Sequence, residues 1–192
     1  MTRPTAPDTH DAHASDAPSA WIVRFAALIP AGARVLDLAS GGGRHARFFA
    51  ARDARVLAVD RDASLLDSLR GTANVATREM DLEGARWPLV GERFDAIAVT
   101  NYLHRPRFDE LLDTLADDGV LLYETFAAGN EAHGRPSNPA FLLQPNELAE
   151  RVRDRLVVVA FEQGRIVEGA RTAVVQRLAA VGRGRAWPPA LA

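Results

Sequence analysis

The sequence contains no cysteine and, read end to end, no lysine either: all 23 basic residues are arginine. The first absence removes disulfides, thiolate metal sites, cysteine nucleophiles and iron–sulfur clusters. The second removes a P-loop lysine, Schiff-base pyridoxal chemistry and the strand lysine of kinases. Neither sign of charge is in excess, since 23 basic against 25 acidic residues leave −2. That balance argues against a nucleic-acid binder, whose domain is as a rule clearly basic. Long hydrophobic runs are missing too. The apolar run 21–29 is far short of the about 20 residues a bilayer needs, and no basic stretch precedes it as in a signal peptide. We therefore expect a cytoplasmic protein with no membrane partner.

What is present is a chain of 192 residues, 47% apolar and 25% charged, enough for one globular domain with a sizeable core. Residues 1–15 are polar and proline-containing and predict a flexible tail. His10, Asp11 and His13 fall in it, and are expected to be solvated there rather than to bind a metal. A single domain is expected over 16–181, with a second tail over 182–192. Trp21, Phe25 and Leu28 recur at i, i+4, i+7 behind possible caps at Ser15, Asp16 or Ser19, which predicts an amphipathic helix.

From residue 33, short apolar runs alternate with helical periodicity. Strands are expected over 34–39 (RVLDLA), 55–60 (RVLAVD), 74–81, 94–100 (FDAIAVT) and 120–126 (VLLYETF). Helical spacing follows in Ala46, Phe49 and Ala50, then in Leu65, Leu66 and Leu69 behind Asp62, then in Phe108, Leu111, Leu112 and Leu115. This alternation implies βαβ units and a doubly wound, mostly parallel α/β sheet. Residues 156–161 and 172–178 have no helix between them, so they should pair as an antiparallel hairpin at one edge, making seven strands. Residues 129–146 read as a long ordered loop, a length that in compact domains points to function. We expect it to cover a substrate pocket.

The strongest local signal is VLDLASGGGRHARFFA, residues 35–50. A strand delivers Asp37, and the chain turns through glycines that permit close approach of a ligand. A helix N-terminus then offers N–H groups to an anion, either a carboxylate or a phosphate. Arg44 and His45 stand in its first turn. The second strand ends at Asp60, 17 residues after Gly43, where an acid can accept hydrogen bonds from a ribose diol. Loop and acid together indicate an adenosine-containing cofactor.

A dinucleotide fingerprint would read G-x-G-x-x-G, but Arg44-His45-Ala46 follow Gly43 with no third glycine. The D-x-A-x-G-x-G spacing from Asp37 to Gly43 instead resembles the loop of class I S-adenosylmethionine-dependent methyltransferases, with their Rossmann-like fold. The order of the rest agrees: Asp60 after strand two, Asp81-Leu82 after strand three, Thr100-Asn101-Tyr102 after strand four, then a terminal hairpin. The resemblance implies S-adenosyl-L-methionine as cofactor. It assigns Asp60 to the ribose, with Arg61 beside it, and Asp81 to the adenine amino group, with Leu82 offering its backbone N–H. The loop Ala39, Gly41 and Gly43 would lie beneath the methionine part, Asp37 near its ammonium group and Asn101 close by. Ala39 departs from the family, which has glycine there; an alanine suits the turn only at negative φ.

Methyl transfer is an in-line displacement that asks the protein mainly for alignment and exclusion of water. A base is needed only when the nucleophile arrives protonated. His104 is the first candidate for base or acceptor-orienting group because imidazole titrates near neutrality. Tyr102 either covers the methionine part or packs. Glu124 is a carboxylate in a buried strand, catalytic or else paired with Arg105 or Arg135. Trp87-Pro88 either walls the adenine pocket or packs. Nucleic-acid amino-methyltransferases carry Pro-Pro-aromatic after strand four, which Asn101-Tyr102-Leu103-His104 is not. Cytosine C5 and arsenite methylation need cysteine, and catechol-type methylation needs an acidic cluster absent here. What remains is similar to the small bacterial methyltransferases akin to the tellurite-resistance type, acting on a small molecule as monomer or homodimer. The alternatives are an NAD(P)-binding oxidoreductase and a non-catalytic S-adenosylmethionine-binding module.

Overall fold

The computed structural model describes residues 17–169 and 171–191. The tail expected over 1–15, with its two histidines, lies outside the described residues. Helix α1 (Ala20–Phe25) is capped by Ser19, whose side chain accepts the Trp21 N–H. It continues as a 3-10 turn, Ala26–Leu28. Six residues are too few for a helix to persist alone in water. It forms because Trp21, Ile22, Phe25 and Leu28 are buried against the sheet, each worth about 1.5–3 kcal/mol when removed from water.

The sheet contains β1 (Arg34–Leu38), β2 (Arg55–Asp60), β3 (Val75–Glu79), β4 (Phe94–Thr100), β5 (Leu115–Phe126), β6 (Leu156–Glu168) and β7 (Arg171–Gly182), in the order β3-β2-β1-β4-β5-β7-β6. The first five are parallel to one another, while β7 runs antiparallel to both β5 and β6. This is the doubly wound α/β sheet with a C-terminal antiparallel hairpin. Near-continuous apolar runs such as Val35, Leu36 and Leu38 form the central strands because both faces are covered. On one face lies a core that includes α1 and α2 (Arg44–Ala50). On the other lies a core that includes α4 (Phe108–Asp113) and α5 (Glu147–Val152). Helix α3 (Ala63–Leu66) is capped by Asp62 as expected.

The chain enters the sheet at β1 and leaves it first toward β2 and β3, then crosses to β4 and β5. That reversal opens a crevice at the carboxyl ends of β1 and β4, where α/β sheets bind ligands.

The structure corrects three boundaries. Leu115 begins β5 rather than ending a helical face, and the strand is irregular between its pairings at Phe94 and Ala96. The hairpin strands are much longer than the Val-rich runs, with β7 inside the sheet and β6 at its edge. The chain beyond Val181 is also held, because β7 includes Gly182 and Arg185 Nη2 donates to Leu28 O at 2.6 Å.

Candidate cofactor and acceptor site

After Leu38 the chain leaves β1 and turns through Ala39 at φ 53°, Gly41 at φ 53° and Gly43 at φ 75° before α2 begins. The two glycines serve different ends. Above Gly41 a Cβ would meet nothing within 4 Å, and the residue lines a cavity. A Cβ on Gly43 would collide with Leu69, so that glycine lets α2 pack and is not part of the cavity wall.

Ala39 contradicts the expectation of negative φ. The left-handed conformation costs an L-residue about 1–2 kcal/mol, and the extra freedom of an unfolded glycine takes back about 0.5–1 kcal/mol. Ala39→Gly is therefore expected to raise stability by up to about 1 kcal/mol in urea unfolding. A fall in stability would show that no strain is stored there.

Asp60 organises the loop. Its Oδ2 accepts the Gly41 N–H at 2.8 Å and its Oδ1 accepts the Asp62 N–H at 3.0 Å. Asp60, Arg61, Asp81, Leu82, Asn101 and Tyr102 all line one cavity of about 1380 Å³ with Ala39 and Gly41. Asp81 is itself fixed by accepting the Glu83 N–H at 3.0 Å. Asn101 takes φ 56°, which asparagine tolerates, and donates its N–H to Glu124 O at 2.9 Å. Burial, followed by the charges of Glu83 and Asp81, pushes the Tyr102 phenol above its usual range, so it stays protonated. Its hydroxyl has no hydrogen-bond partner among the described residues.

The far wall comes from the segment 129–146 and from the start of β7. The long loop is ordered by two 3-10 turns, Asn130–Ala132 and Pro139–Phe141. Asn130 is fully engaged, donating to Pro136 O at 3.0 Å and accepting the Val174 N–H at 3.1 Å. It thereby ties the loop to β7, and the loop and Arg171, Thr172 and Ala173 face the cavity together.

Four expected site residues lie elsewhere. Asp37, 1% exposed, sits beneath the loop, outside the cavity wall, accepting the Ala46 N–H of α2. Burial pushes its carboxyl up to about 8 against the pull of that N–H and of Arg44. Gly43 packs on Leu69, as above. His104 stands before the 3-10 turn Arg105–Arg107 and lines a small neighbouring pocket with Trp87 and Phe108. The chain is drawn off the rim there by Arg105, bound to Glu147 at 2.7 Å and to Leu142 O at 2.7 Å. Glu124 faces the opposite side of the sheet from Tyr123 and Thr125, because side chains alternate along a strand. Its partner is neither Arg105 nor Arg135 but Arg177, 2.7 Å away. Trp87 is core, and His45 is buried beneath the loop rather than on the cavity wall.

His45 and Glu124 belong to a buried polar group that sequence reading missed. Ser19 donates its N–H to His45 Nε2 at 3.1 Å and its hydroxyl to Glu124 Oε2 at 3.0 Å. His45 Nδ1 lies 3.4 Å from Thr100 Oγ1. Accepting at Nε2 requires the neutral imidazole with its proton on Nδ1. The group pins the residue before α1 to the ends of β4 and β5.

These groups have a pH signature. Burial, then the charge of Arg44, lowers the His45 imidazole to about 3. For Glu147 partial burial works upward, but hydrogen bonds from Arg105, the Gln144 N–H and Arg151 outweigh it and hold the carboxyl at about 2. Both folded groups refuse protons that the unfolded chain accepts, so their contributions fall as pH drops, while the raised Asp37 carboxyl works the other way between about 8 and 3.8. His45 acts between about 6.5 and 3, and Glu147 adds its loss below its ordinary value of 4.5. Each contributes a slope on the order of 1.4 kcal/mol per pH unit where it titrates. Urea unfolding of the protein and of His45→Gln from pH 7 to 4 measures it as a difference, and the variant is expected to lose less stability on acidification below about 6.5. An unchanged profile would take His45 out of the account.

With this geometry in view, comparison with known proteins is informative. Residues 35–119 match the family model described as a methyltransferase domain. No curated protein matches at the level of sequence. Among solved structures, TehB from Haemophilus influenzae aligns with a TM-score of 0.71 at 20% identity, over 84% of this chain and 61% of TehB, so this chain spans less than two thirds of that protein. The Burkholderia thailandensis 1,6-didemethyltoxoflavin-N1-methyltransferase, crystallised with 1,6-didemethyltoxoflavin and S-adenosylhomocysteine, aligns with a TM-score of 0.61 at 22% identity over 84% and 76% of the two chains. A TehB-like methyltransferase from Corynebacterium glutamicum aligns with a TM-score of 0.58 at 19% identity over 84% and 86%. Residues 35–119 thus match a methyltransferase domain, and the chain shares its fold with S-adenosylmethionine-dependent methyltransferases.

Proposed function

We propose that the protein transfers the methyl group of S-adenosylmethionine to a small molecule, acting through one domain over 16–181. The observation that carries the reading is the single cavity of about 1380 Å³ joining the glycine loop to the 129–146 segment. A pocket for one drug-sized ligand occupies about 300–1,000 Å³, so this one has room for a cofactor and an acceptor side by side.

The residues present fit the cofactor. The open space above Gly41 and Gly42 admits its methionine part, the Asp60 carboxylate suits a ribose diol, and Asp81 with the Leu82 N–H suits adenine. When bound, the cofactor supplies an electrophilic methyl group on a sulfonium. The protein's part is then positional. Asp60 holds the loop, Asn101 and Tyr102 bound the space after β4, and the 129–146 segment closes the far side against water. The loop is thus the acceptor lid. The protonated Tyr102 is a hydrogen-bond donor and not a base.

Near-balanced charge supports an acceptor other than nucleic acid, and we take the enzyme to work in the cytoplasm as monomer or homodimer. Among the described residues, no helix is long and apolar enough to cross a membrane. The test is transfer of a tritiated methyl group from S-adenosylmethionine into a bacterial extract that is separated by size after the unreacted cofactor has been removed, against a control without the protein. Label in the low-mass fraction is expected. Label confined to nucleic acid or protein would overturn the reading, and cofactor binding without any label would favour the non-catalytic module.

A further inference from the structure

The cavity is divided by charge along its length. At the glycine-loop end it is lined by four carboxylates, Asp60, Asp62, Asp81 and Glu83, beside Arg44 and Arg61. At the far end it is lined by Arg135 from the long loop, Arg171 from β7 and His133, with no carboxylate among the described lining residues. The acidic end suits a cationic sulfonium cofactor. The basic end faces whatever is methylated.

The walls near that basic end are apolar. Phe126, Phe141, Leu103 and Ala173 line the cavity, and Phe126, Leu103 and Ala173 are buried. The Arg171 guanidinium stands 5.5 Å from the centroid of the Phe126 ring, an arrangement that orients a planar cation by its interaction with the ring. Arg171 and Arg135 arrive from two separate segments that Asn130 fastens together through the Val174 N–H and Pro136 O. The fold thus ties together the two backbone segments from which they extend.

We propose that the methyl acceptor is a carboxylic acid with an apolar body, its carboxylate held by Arg171 and Arg135 and its body lying against Phe126 and Phe141. This assignment rests on the methyltransferase reading above and names the substrate class of that same cavity. Arginine presents a planar fork that matches a carboxylate in two parallel hydrogen bonds. A low-polarity wall strengthens that pairing and supplies hydrophobic contact for the rest of the molecule. The arginine fork matches phosphate as well, but beside apolar walls a singly charged carboxylate costs less to desolvate than a doubly charged phosphate.

The experiment uses the full chain saturated with S-adenosylhomocysteine and titrated calorimetrically with benzoate, octanoate, their primary amides and phenyl phosphate. Each acid is expected to bind at least about ten-fold more tightly than its amide, as one lost charged hydrogen-bond pair implies. Arg171→Gln is expected to abolish that preference and Arg135→Gln to reduce it. Both variants should keep the S-adenosylhomocysteine affinity of the unmodified chain, which also shows that they are folded. Arg171→Lys, charged but without the fork, should fall between. Equal binding of acids and amides, a preference that survives Arg171→Gln, or a preference for phenyl phosphate over both acids would each overturn the proposal. A chain that takes up no S-adenosylhomocysteine at all would sink the methyltransferase reading and the proposal together, whereas uptake without acid preference sinks the proposal alone.

Discussion

Replacing Asp60 with alanine is expected to lower the affinity for S-adenosylhomocysteine by about 10- to 150-fold, the loss of one strong hydrogen bond to a charged group at about 1.5–3 kcal/mol. The carboxylate has two tasks at one place. It accepts the Gly41 and Asp62 N–H groups, which holds the glycine loop in its left-handed turns, and its free lone pairs face the cavity. Removing it takes away the proposed ribose contact and loosens the loop that shapes the cavity. Asp60→Asn separates charge from shape. An amide has one acceptor oxygen and one donor nitrogen, so one of the two backbone N–H groups must then face another donor. Asp60→Asn should accordingly bind nearly as poorly as Asp60→Ala. Calorimetric titration with S-adenosylhomocysteine decides it: wild-type affinity in either variant would remove Asp60 from the site.

Glu124→Ala is expected to be the most destabilising of the substitutions considered, at about 3–5 kcal/mol, because it strands a buried cation. The side chains of Arg177 and Glu124 are only 12% and 10% exposed. The substitution also removes the acceptor of the Ser19 hydroxyl. At about 2–4 °C per kcal/mol for a chain of this size, the melting temperature should fall by roughly 6–20 °C. Replacing both partners with apolar residues, Glu124→Leu with Arg177→Met, should restore much of the loss, since no orphaned charge is left. Thermal unfolding and cofactor binding are measured together. An unchanged melting temperature accompanied by lost methyl transfer would return Glu124 to catalysis and defeat the structural assignment.

The glycine-loop wall of the cavity was readable because its signals are local. A buried strand, a glycine turn and a helix occupy one stretch from Val35 to Ala50, and Asp60 and Asp81 stand near the carboxyl ends of the next two strands. Such a pattern follows from strand and helix periods and from the backbone freedom of glycine. Even there, the fate of individual side chains was not readable. Asp37 and Asp60 come from adjacent paired strands, yet one is sealed under the loop and the other lines the cavity, because Asp37 precedes the turn while Asp60 ends its strand beside it. Ala39 was expected at negative φ, but the tie from Gly41 N–H to Asp60 imposes the left-handed turn on a residue that disfavours it.

Length and residue order alone thus established the α/β architecture, its strand succession and its terminal hairpin, all consequences of short-range periodicity and chain connectivity. The pairing of Glu124 with Arg177 rather than Arg105, the withdrawal of His104 from the cavity and the arrival of Arg135 and Arg171 opposite the glycine loop depended on the folded packing. Those partners lie tens to more than a hundred residues apart in the chain. Which face of a strand meets which helix, and how far a hairpin overhangs a crevice, is set by packing the whole core, and no local stretch of sequence encodes it.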